Sequence, residues 1–305
     1  MPTSTSSAPI RLLEGLSAIA DRYDVLLCDV WGVVHNGQVA YPEACAALTR
    51  FRAKGGSVVL ITNAPRPHAA IFEQLARLNV PASAYDGMVT SGDVTLAFMK
   101  ERGAAPLHHI GPARDEVLFD TLTAETGISP PRVGLDAAAY VVCTGLYLDD
   151  IGTPDDYADA FQVMKARNLD FISANPDIVV HVGDKEIYCA GALAQDYEAI
   201  GGRIFQAGKP HAPIYAAALA QAEVVRGKPL DRKRVLAIGD AMHTDVQGGH
   251  DAGLDVLFVT SGIHREELHP RNLDGEAAKL HQAALAQFLD GKVAVPSAAI
   301  PSLVW

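Results

Sequence analysis

In the stretch LLCDVWGVVHNG, residues 26–37, a run of apolar residues ends on Asp29. Trp31 follows two positions later, and Gly32 then lets the chain turn. A carboxylate at the end of a buried strand is costly to desolvate unless a charged group faces it. We therefore expect Asp29 to face a cation, and the indole that follows it needs a separate explanation.

Apolar runs rich in Val, Ile and Leu alternate with amphipathic helical stretches towards both ends of the chain. One helix is predicted from Pro42 to a stop at Gly55, and another over 67–79. Continuous apolar strands that are each followed by a helix indicate a parallel sheet covered on both faces. The sequence therefore predicts an α/β fold with a doubly wound, Rossmann-like parallel sheet. Its strands are expected at 25–29, 57–62, 203–208, 235–240 and 254–260.

The middle of the chain has strands of its own, in AYVVCTGL and DFISA, and more polar connections. We expect it to form an inserted α+β cap domain over 87–189, a comfortable domain size. The core domain then consists of 1–86 and 190–305. The first nine and the last ten residues have the composition of unstructured termini.

Composition limits the classes of function. The net charge of −11 argues against a nucleic-acid surface, and an anionic ligand has to be held by a local positive site. No segment has the unbroken apolar length of a membrane span, and the N terminus does not resemble a signal peptide. The four cysteines lie far apart, so we expect reduced, mostly buried thiols in a cytoplasmic protein. A homo-oligomer is left open.

Polar residues follow four of the predicted strands. Asp29, Thr62 and Asp240 end three of them, and Lys209 follows the fourth. Any one could be a helix cap or a turn residue, but in a parallel sheet the carboxyl ends of the strands form the ligand-binding edge. Two carboxylates suit a hard cation, and the hydroxyl and the ammonium group suit an anion.

This set of residues fits phosphoryl transfer. Two carboxylates can hold Mg²⁺, and a carboxylate can also attack phosphorus to form an aspartyl-phosphate. Thr62 and Lys209 would neutralise charge on the phosphoryl oxygens. Asp245 follows Asp240 by about one helical turn, where it can support the metal.

The motifs resemble the haloacid dehalogenase superfamily. LLCDVWGVV, VVLITN, GKP and GDAMHTD occur in the order that the family has, over essentially the whole chain. The longer matches ITNAPRP, SANPD, GKPHAPIYAAAL and GDAMHTDVQGGHDAGL resemble subclass IIA, the p-nitrophenyl phosphatase-like and nucleotide or sugar phosphatases. That subclass carries its cap between the second and third motifs, which agrees with the predicted insertion.

The resemblance implies roles for single residues. Asp29 would be the nucleophile and a Mg²⁺ ligand, Asp240 a direct ligand and Asp245 its support, while position 31 gives its main-chain carbonyl to the metal. Thr62 and Lys209 would bind the phosphoryl group.

Trp31 departs from the family pattern, which has an aspartate there to protonate the leaving oxygen and then activate water. Indole only donates hydrogen bonds, and loss of an acid/base group costs about 10²–10⁴-fold in rate. Trp31 could pack beneath the cap or stack on a ligand. His35 could replace the missing acid, although a packed loop histidine is the more ordinary interpretation.

Four further residues are candidates for binding the substrate. Asn175 and Asp177 in SANPD resemble the substrate loop of the cap, although Asn-Pro is also an ordinary turn signal. Asn63 is a candidate ligand contact, and Arg66 a weaker one.

We therefore predict a Mg²⁺-dependent hydrolase of a small phosphorylated metabolite. Because of Trp31, the hydrolysis is expected to be slow or selective for the leaving group. Two alternatives stay open: carbon–halogen or carbon–phosphorus cleavage on the same fold, and a non-catalytic regulatory protein that binds a phosphometabolite.

Overall fold

The computed structural model describes residues 10–148, 150–182, 185–269, 280 and 282–305, without the side chains of 181 and 182. The first nine residues, predicted to be unstructured, lie outside this range. Contacts divide the chain into two compact units: Met1–Leu60 with Val80–Asp86 and Ala222–Trp305, and Ile61–Asn79 with Gly87–Gln221. The predicted boundaries of core and cap stay a prediction. Within the described ranges, no helix combines the length and the hydropathy that crossing a bilayer requires.

Strands and helices alternate over most of the chain, as the sequence pattern predicts. The strands are β1 (Arg11–Leu12), β2 (Val25–Asp29), β3 (Ser57–Thr62), β4 (Gly87–Thr90), β5 (Leu107–Ile110), β6 (Tyr140–Cys143), β7 (Asp170–Ser173), β8 (Val179–Val182), β9 (Lys185–Tyr188), β10 (Arg203–Gln206), β11 (Val235–Gly239), β12 (Asp255–Val259) and β13 (Ala298–Ile300). The helices are α1 (Pro42–Ala53), α2 (His68–Arg77), α3 (Ser91–Arg102), α4 (Val117–Thr126), α5 (Ala158–Ala166), α6 (Ala190–Ala199), α7 (Ala212–Arg226), α8 (Gln247–Asp251), α9 (Arg265–Leu268) and α10 (Gln282–Leu289).

The sheet of the first unit contains strands in the order β1-β13-β12-β11-β2-β3, and β3 runs on into the second unit with its last two residues. β2 and β11 are parallel neighbours, with Cys28 opposite Ile238, and every residue of both strands is buried. Because the two strands run in the same direction and in register, the residues at their carboxyl ends lie side by side. This arrangement brings Asp29 and Asp240 together.

The second unit has a parallel sheet of its own, in the order β10-β7-β6-β5, and an antiparallel β8–β9 hairpin. Alternate residues of β6 belong to two hydrophobic clusters. Val141 and Cys143 pack with residues of α5 and α6, whereas Tyr140 and Val142 pack with residues of α3 and α4. Since successive side chains of a strand point to opposite faces, helices cover both faces of this sheet. The structure thus has the predicted class, α/β with parallel sheets.

Two local predictions are wrong, and a third segment has an unexpected local geometry. The strand predicted at 203–208 exists as β10, but it pairs with β7 in the sheet of the second unit and not with the sheet that contains β2. The last ten residues are not unstructured, because 298–300 form β13 between β1 and β12. The segment after Asp240 begins with a π-helical turn, Met242–Val246, before α8. All four cysteines are buried thiols, as expected.

Candidate active site

Three carboxylates meet at the carboxyl end of the sheet in the first unit. Asp29 is the last residue of β2, Asp240 follows β11 directly, and Asp245 lies in the π-helical turn. All three are buried, and one oxygen from each lies within 4.8 Å of the others. The structure therefore brings together the acidic residues that the sequence predicts as metal ligands.

Close approaches of the main chain fix Asp240 in place. Its Oδ2 accepts a hydrogen bond of 2.8 Å from the Ile263 N–H. A Cβ on Gly262, or on Gly32, where φ is +83°, would overlap the Asp240 carboxylate. Glycine is thus required on both sides of this side chain.

Asp245 is held in a similar way by the chain that carries Asp240. Its Oδ2 accepts a hydrogen bond of 3.1 Å from the Ala241 N–H, and its own N–H donates to the Ala241 carbonyl at 3.0 Å. A Cβ on Gly239 would overlap the Asp245 carboxyl group. The π-helical turn therefore folds Asp245 back onto the end of β11.

The donor set of this cluster fits a hard divalent cation. Like charges this close raise the free energy of the ionised state, and a bound cation relieves it. Asp240 also acts on its surroundings: burial raises the pKa of Tyr41, and the negative charge of Asp240 raises it further. Oxygen ligands and negative charge together are typical of a site for a hard divalent cation.

Trp31 is half-buried and packs within its own loop. It forms an isolated parallel β-bridge with His35, and the two rings meet edge to face at 5.4 Å between centroids. Gly37, with φ of +87°, lies so close to the indole that a Cβ would overlap it. Within the first unit, the indole therefore rests on the loop that follows Asp29.

His35 has the environment of a structural histidine. Its Nδ1 accepts a hydrogen bond of 2.9 Å from the Gly37 N–H, and its carbonyl accepts one of 2.8 Å from the Gly32 N–H. Burial lowers the pKa of His35 to about 4, so the ring is neutral near pH 7. A neutral ring that is 2% exposed is poorly suited to protonate a leaving group.

The second unit brings the predicted anion-binding residues together. Thr62 and Lys209 are buried, and the Thr62 Oγ1 accepts a hydrogen bond of 3.3 Å from the Ala64 N–H. Between them, the Asn63 Oδ1 accepts a hydrogen bond of 2.7 Å from the Lys209 N–H. The prediction that Lys209 follows a strand of the sheet that contains β2 is wrong. This residue follows β10 in the second sheet.

The SANPD segment is a turn that touches this cluster. The Asn175 Oδ1 accepts a hydrogen bond of 3.0 Å from the Asp177 N–H, and the Asp177 Oδ1 accepts one of 2.8 Å from the Asn63 Nδ2. Arg66 makes other contacts: its guanidinium donates to the Gln74 Oε1 at 2.8 Å and faces the buried Asp115 carboxylate at 3.9 Å. Arg66 is therefore engaged by the protein itself.

Sequence reasoning missed two contributions to the site. The turn after β12 supplies Gly262 and the Ile263 N–H to Asp240, and the Asn63 side chain joins Lys209 to Asp177. A glycine in the turn that follows a strand is a signal for the first, since it can mark a close approach of the main chain. No sequence signal indicates the second, because it joins residues far apart in the chain.

Comparisons with known proteins agree with this geometry. Two family models match, one described as haloacid dehalogenase-like hydrolase over residues 26–123 and one as HAD-hydrolase-like over 206–284. The crystal structure of a haloacid dehalogenase-like hydrolase from Brucella suis 1330 is similar, with 45% identity, a TM-score of 0.81, and coverage of 96% of this chain and 100% of that one.

Two curated relatives have named activities. The ribonucleotide monophosphatase NagD of Escherichia coli K12 is 28% identical over 78% of this chain and 88% of its own length. The 4-nitrophenylphosphatase of Schizosaccharomyces pombe is 23% identical over 81% of this chain and 87% of its own length. With family models over more than half of its residues and a match to the Brucella hydrolase along its length, the chain belongs to the haloacid dehalogenase-like hydrolases, in subclass IIA.

Proposed function

We propose that the protein is a Mg²⁺-dependent phosphatase of small phosphorylated metabolites that uses Asp29 as its nucleophile. The observation that carries the proposal is the buried cluster of Asp29, Asp240 and Asp245, whose oxygens lie within 4.8 Å of one another. The relatives from Escherichia coli and Schizosaccharomyces pombe are both phosphatases, and they support this reaction class.

The metal would be held by Asp29 and Asp240, with the main-chain carbonyl of Trp31 and support from Asp245. When bound, Mg²⁺ supplies positive charge that stabilises the phosphoryl oxygens and lets two carboxylates stay ionised side by side. The hydrogen bonds from Ile263 to Asp240 and from Ala241 to Asp245 would orient these ligands before the metal arrives.

In the reaction, an Asp29 oxygen would attack phosphorus, and the bond from phosphorus to the leaving oxygen would break. The products are an aspartyl-phosphate and the oxyanion of the leaving group, which solvent water protonates where its basicity requires it. Water would then attack phosphorus, which releases inorganic phosphate and restores the Asp29 carboxylate. Thr62 and Lys209 would bind the phosphoryl oxygens through a hydroxyl and an ammonium group, with Asn175 and Asp177 on the substrate side.

We expect Trp31 to make the enzyme selective for the leaving group of its substrate. The leaving oxygen departs with a negative charge unless an acid protonates it, and the indole cannot act as that acid. Because His35 is neutral near pH 7, it does not replace the acid either. Aryl and acyl phosphates, whose leaving groups are stable anions, should therefore react faster than alkyl phosphates.

Because Trp31 removes the acid/base group, a second candidate function is binding of a phosphometabolite without turnover. A third, cleavage of carbon–halogen or carbon–phosphorus bonds, uses the same nucleophile. The experiment that separates them measures phosphate and halide release from aryl, acyl, nucleotide and sugar phosphates and haloacids, with Mg²⁺ and with EDTA. Mg²⁺-dependent phosphate release is expected. Binding of these phosphates without release would indicate the second candidate, and halide release the third.

A further inference from the structure

The Asn63 side chain connects two segments that lie far away in the sequence. Its Oδ1 accepts a hydrogen bond of 2.7 Å from the Lys209 N–H, and its Nδ2 donates to the Lys209 carbonyl at 3.2 Å. The same Nδ2 donates to the Asp177 Oδ1 at 2.8 Å. Both N–H bonds of the amide and one lone pair of its oxygen are therefore used within the protein.

The surroundings allow this amide little freedom. Asn63 is 5% exposed, and Lys209 is 3% exposed. A Cβ on Gly208 would overlap the Asn63 Oδ1 and would stand 2.7 Å from the Pro176 Cδ. The main chain before Lys209 thus packs directly against the amide and against the 175–177 turn, which holds the three segments at fixed distances.

We propose that Asn63 is a positioning residue that acts through Lys209 and joins it to the 175–177 turn. Two hydrogen bonds hold both the N–H and the carbonyl of Lys209, so they fix the start of its side chain. The third hydrogen bond, to Asp177, holds the 175–177 turn, which we propose lies on the substrate side of the site. The inference rests on the proposed function for the role of Lys209, but it concerns this chain's own contacts.

This role predicts a particular kinetic effect. A displaced Lys209 lowers transition-state stabilisation for each substrate alike, because the phosphoryl group is common to all of them. Misplacement of a positioned group by about 1 Å can cost about 10²-fold in rate. If the Asn63 side chain instead contacted the leaving group, its loss would change KM by different factors for different substrates.

The test exchanges donor and acceptor between Asn63 and Asp177. Asn63→Asp removes the donor and sets two carboxylates against each other, so kcat should fall about 10²-fold for each substrate, and inorganic phosphate should bind more weakly. Adding Asp177→Asn restores one donor and one acceptor. The double variant should therefore recover part of the activity that Asn63→Asp loses, a non-additive cycle, while the lost hydrogen bond to the Lys209 carbonyl keeps it below Asp177→Asn alone.

Ser91→Ala is the matched control, since this buried residue lies beside Gly208 and its hydroxyl has no hydrogen-bond partner within the described ranges. It should leave kcat and phosphate binding unchanged. Additive losses in the cycle, or a change of KM that differs between substrates, would overturn the inference.

Folding and the proposed function are checked separately. If Asn63→Asp does not fold, Asn63→Ser, which introduces no charge, is judged by the same uniform fall in kcat. Phosphate affinity is measured calorimetrically and needs no turnover. A wild-type protein that neither releases nor binds phosphate would overturn the proposed function, whereas an active wild type with an additive cycle overturns only the role of Asn63.

Discussion

Asp29 has a buried carboxylate, whose ionised form is costly in free energy unless a group of opposite charge compensates it. It is 6% exposed, and the Asp240 and Asp245 oxygens lie within 4.8 Å of its own. Burial and neighbouring negative charge both disfavour the ionised form, and a divalent cation reverses both effects. In the proposed function, the strand therefore ends on an aspartate because the site binds a cation.

Trp31 is the residue that separates this chain from the family pattern, and its replacement tests the selectivity that we propose. Trp31→Asp introduces an acid beside the nucleophile, so alkyl phosphate hydrolysis should rise, by up to about 10²-fold. Aryl phosphate hydrolysis should rise less, because its leaving group needs no proton. The measurement is kcat/KM for one alkyl and one aryl phosphate.

The loop must survive this change, since the indole packs on Gly37 and His35. Trp31→Asn is the control, because it has nearly the same size as aspartate but does not titrate. A folded, Mg²⁺-binding Trp31→Asp variant that gains nothing over Trp31→Asn on alkyl phosphates would contradict the proposed selectivity.

The turn after β12 shapes the proposed metal site. A Cβ on Gly262 would overlap the Asp240 carboxylate, and the neighbouring Ile263 N–H orients that group at 2.8 Å. Gly262→Ala should therefore weaken Mg²⁺ binding about 10-fold or more, as loss of an outer-shell partner does. Titration calorimetry with Mg²⁺ measures the change.

Gly145→Ala is the matched control, because this buried glycine has no positive φ and its nearest neighbour, the Pro112 Cδ, would lie 3.6 Å from the new Cβ. Its Mg²⁺ affinity should equal that of the wild type. Equal affinities in Gly262→Ala and Gly145→Ala would show that the turn does not shape the site.

The turn at Asn175 gives a test of substrate selection. Its Oδ1 accepts a hydrogen bond from the Asp177 N–H, and Asn175→Asp keeps an oxygen there while Asn175→Ala removes it. We expect Asn175→Ala to change the ratio of kcat/KM between substrates about tenfold, mainly through KM. Asn175→Asp should lie closer to the wild type. Unchanged ratios in both variants would show that the SANPD segment is a turn that does not select the substrate.

The sequence predicts elements better than it predicts their partners. The apolar runs at 25–29 and 235–240 identify β2 and β11 because both strands are buried along their whole length. β10 is also a strand, but none of its residues is fully buried, and its sequence did not show that it pairs with β7 in the other sheet. β13 was not predicted, because its three residues are too few to show the alternation typical of a strand.

The candidate site shows the same limit. Motif order identifies the candidate residues Asp29, Thr62, Lys209 and Asp240, because each lies at or soon after the end of a strand. The Asn63 hydrogen bonds to Lys209 and Asp177 could not be predicted, because only the folded chain brings these residues together.

Metal binding should increase the thermal stability of the whole folded protein. A ligand that binds the folded state alone at about 100 times its Kd stabilises by about 2.7 kcal/mol. We therefore expect Tm to be several degrees higher in millimolar Mg²⁺ than in EDTA. Asp240→Ala should remove this difference, and Asp21→Ala, at an exposed carboxylate paired with Lys54, should keep it. Equal Tm values in the wild type would argue strongly against a metal site.

Asp29 is proposed to carry the phosphoryl group during turnover, and the phosphoenzyme can be observed directly. The measurement is a rapid acid quench of the enzyme with 4-nitrophenyl phosphate and Mg²⁺, followed by mass spectrometry of the intact chain and its peptides. Because Trp31 leaves no base to activate water, the phosphoenzyme should accumulate and give a burst of 4-nitrophenol. We predict one added phosphoryl group, on the peptide that contains Asp29, and none in Asp29→Asn. A phosphoryl group on another residue, or full activity in Asp29→Asn, would contradict the role of Asp29.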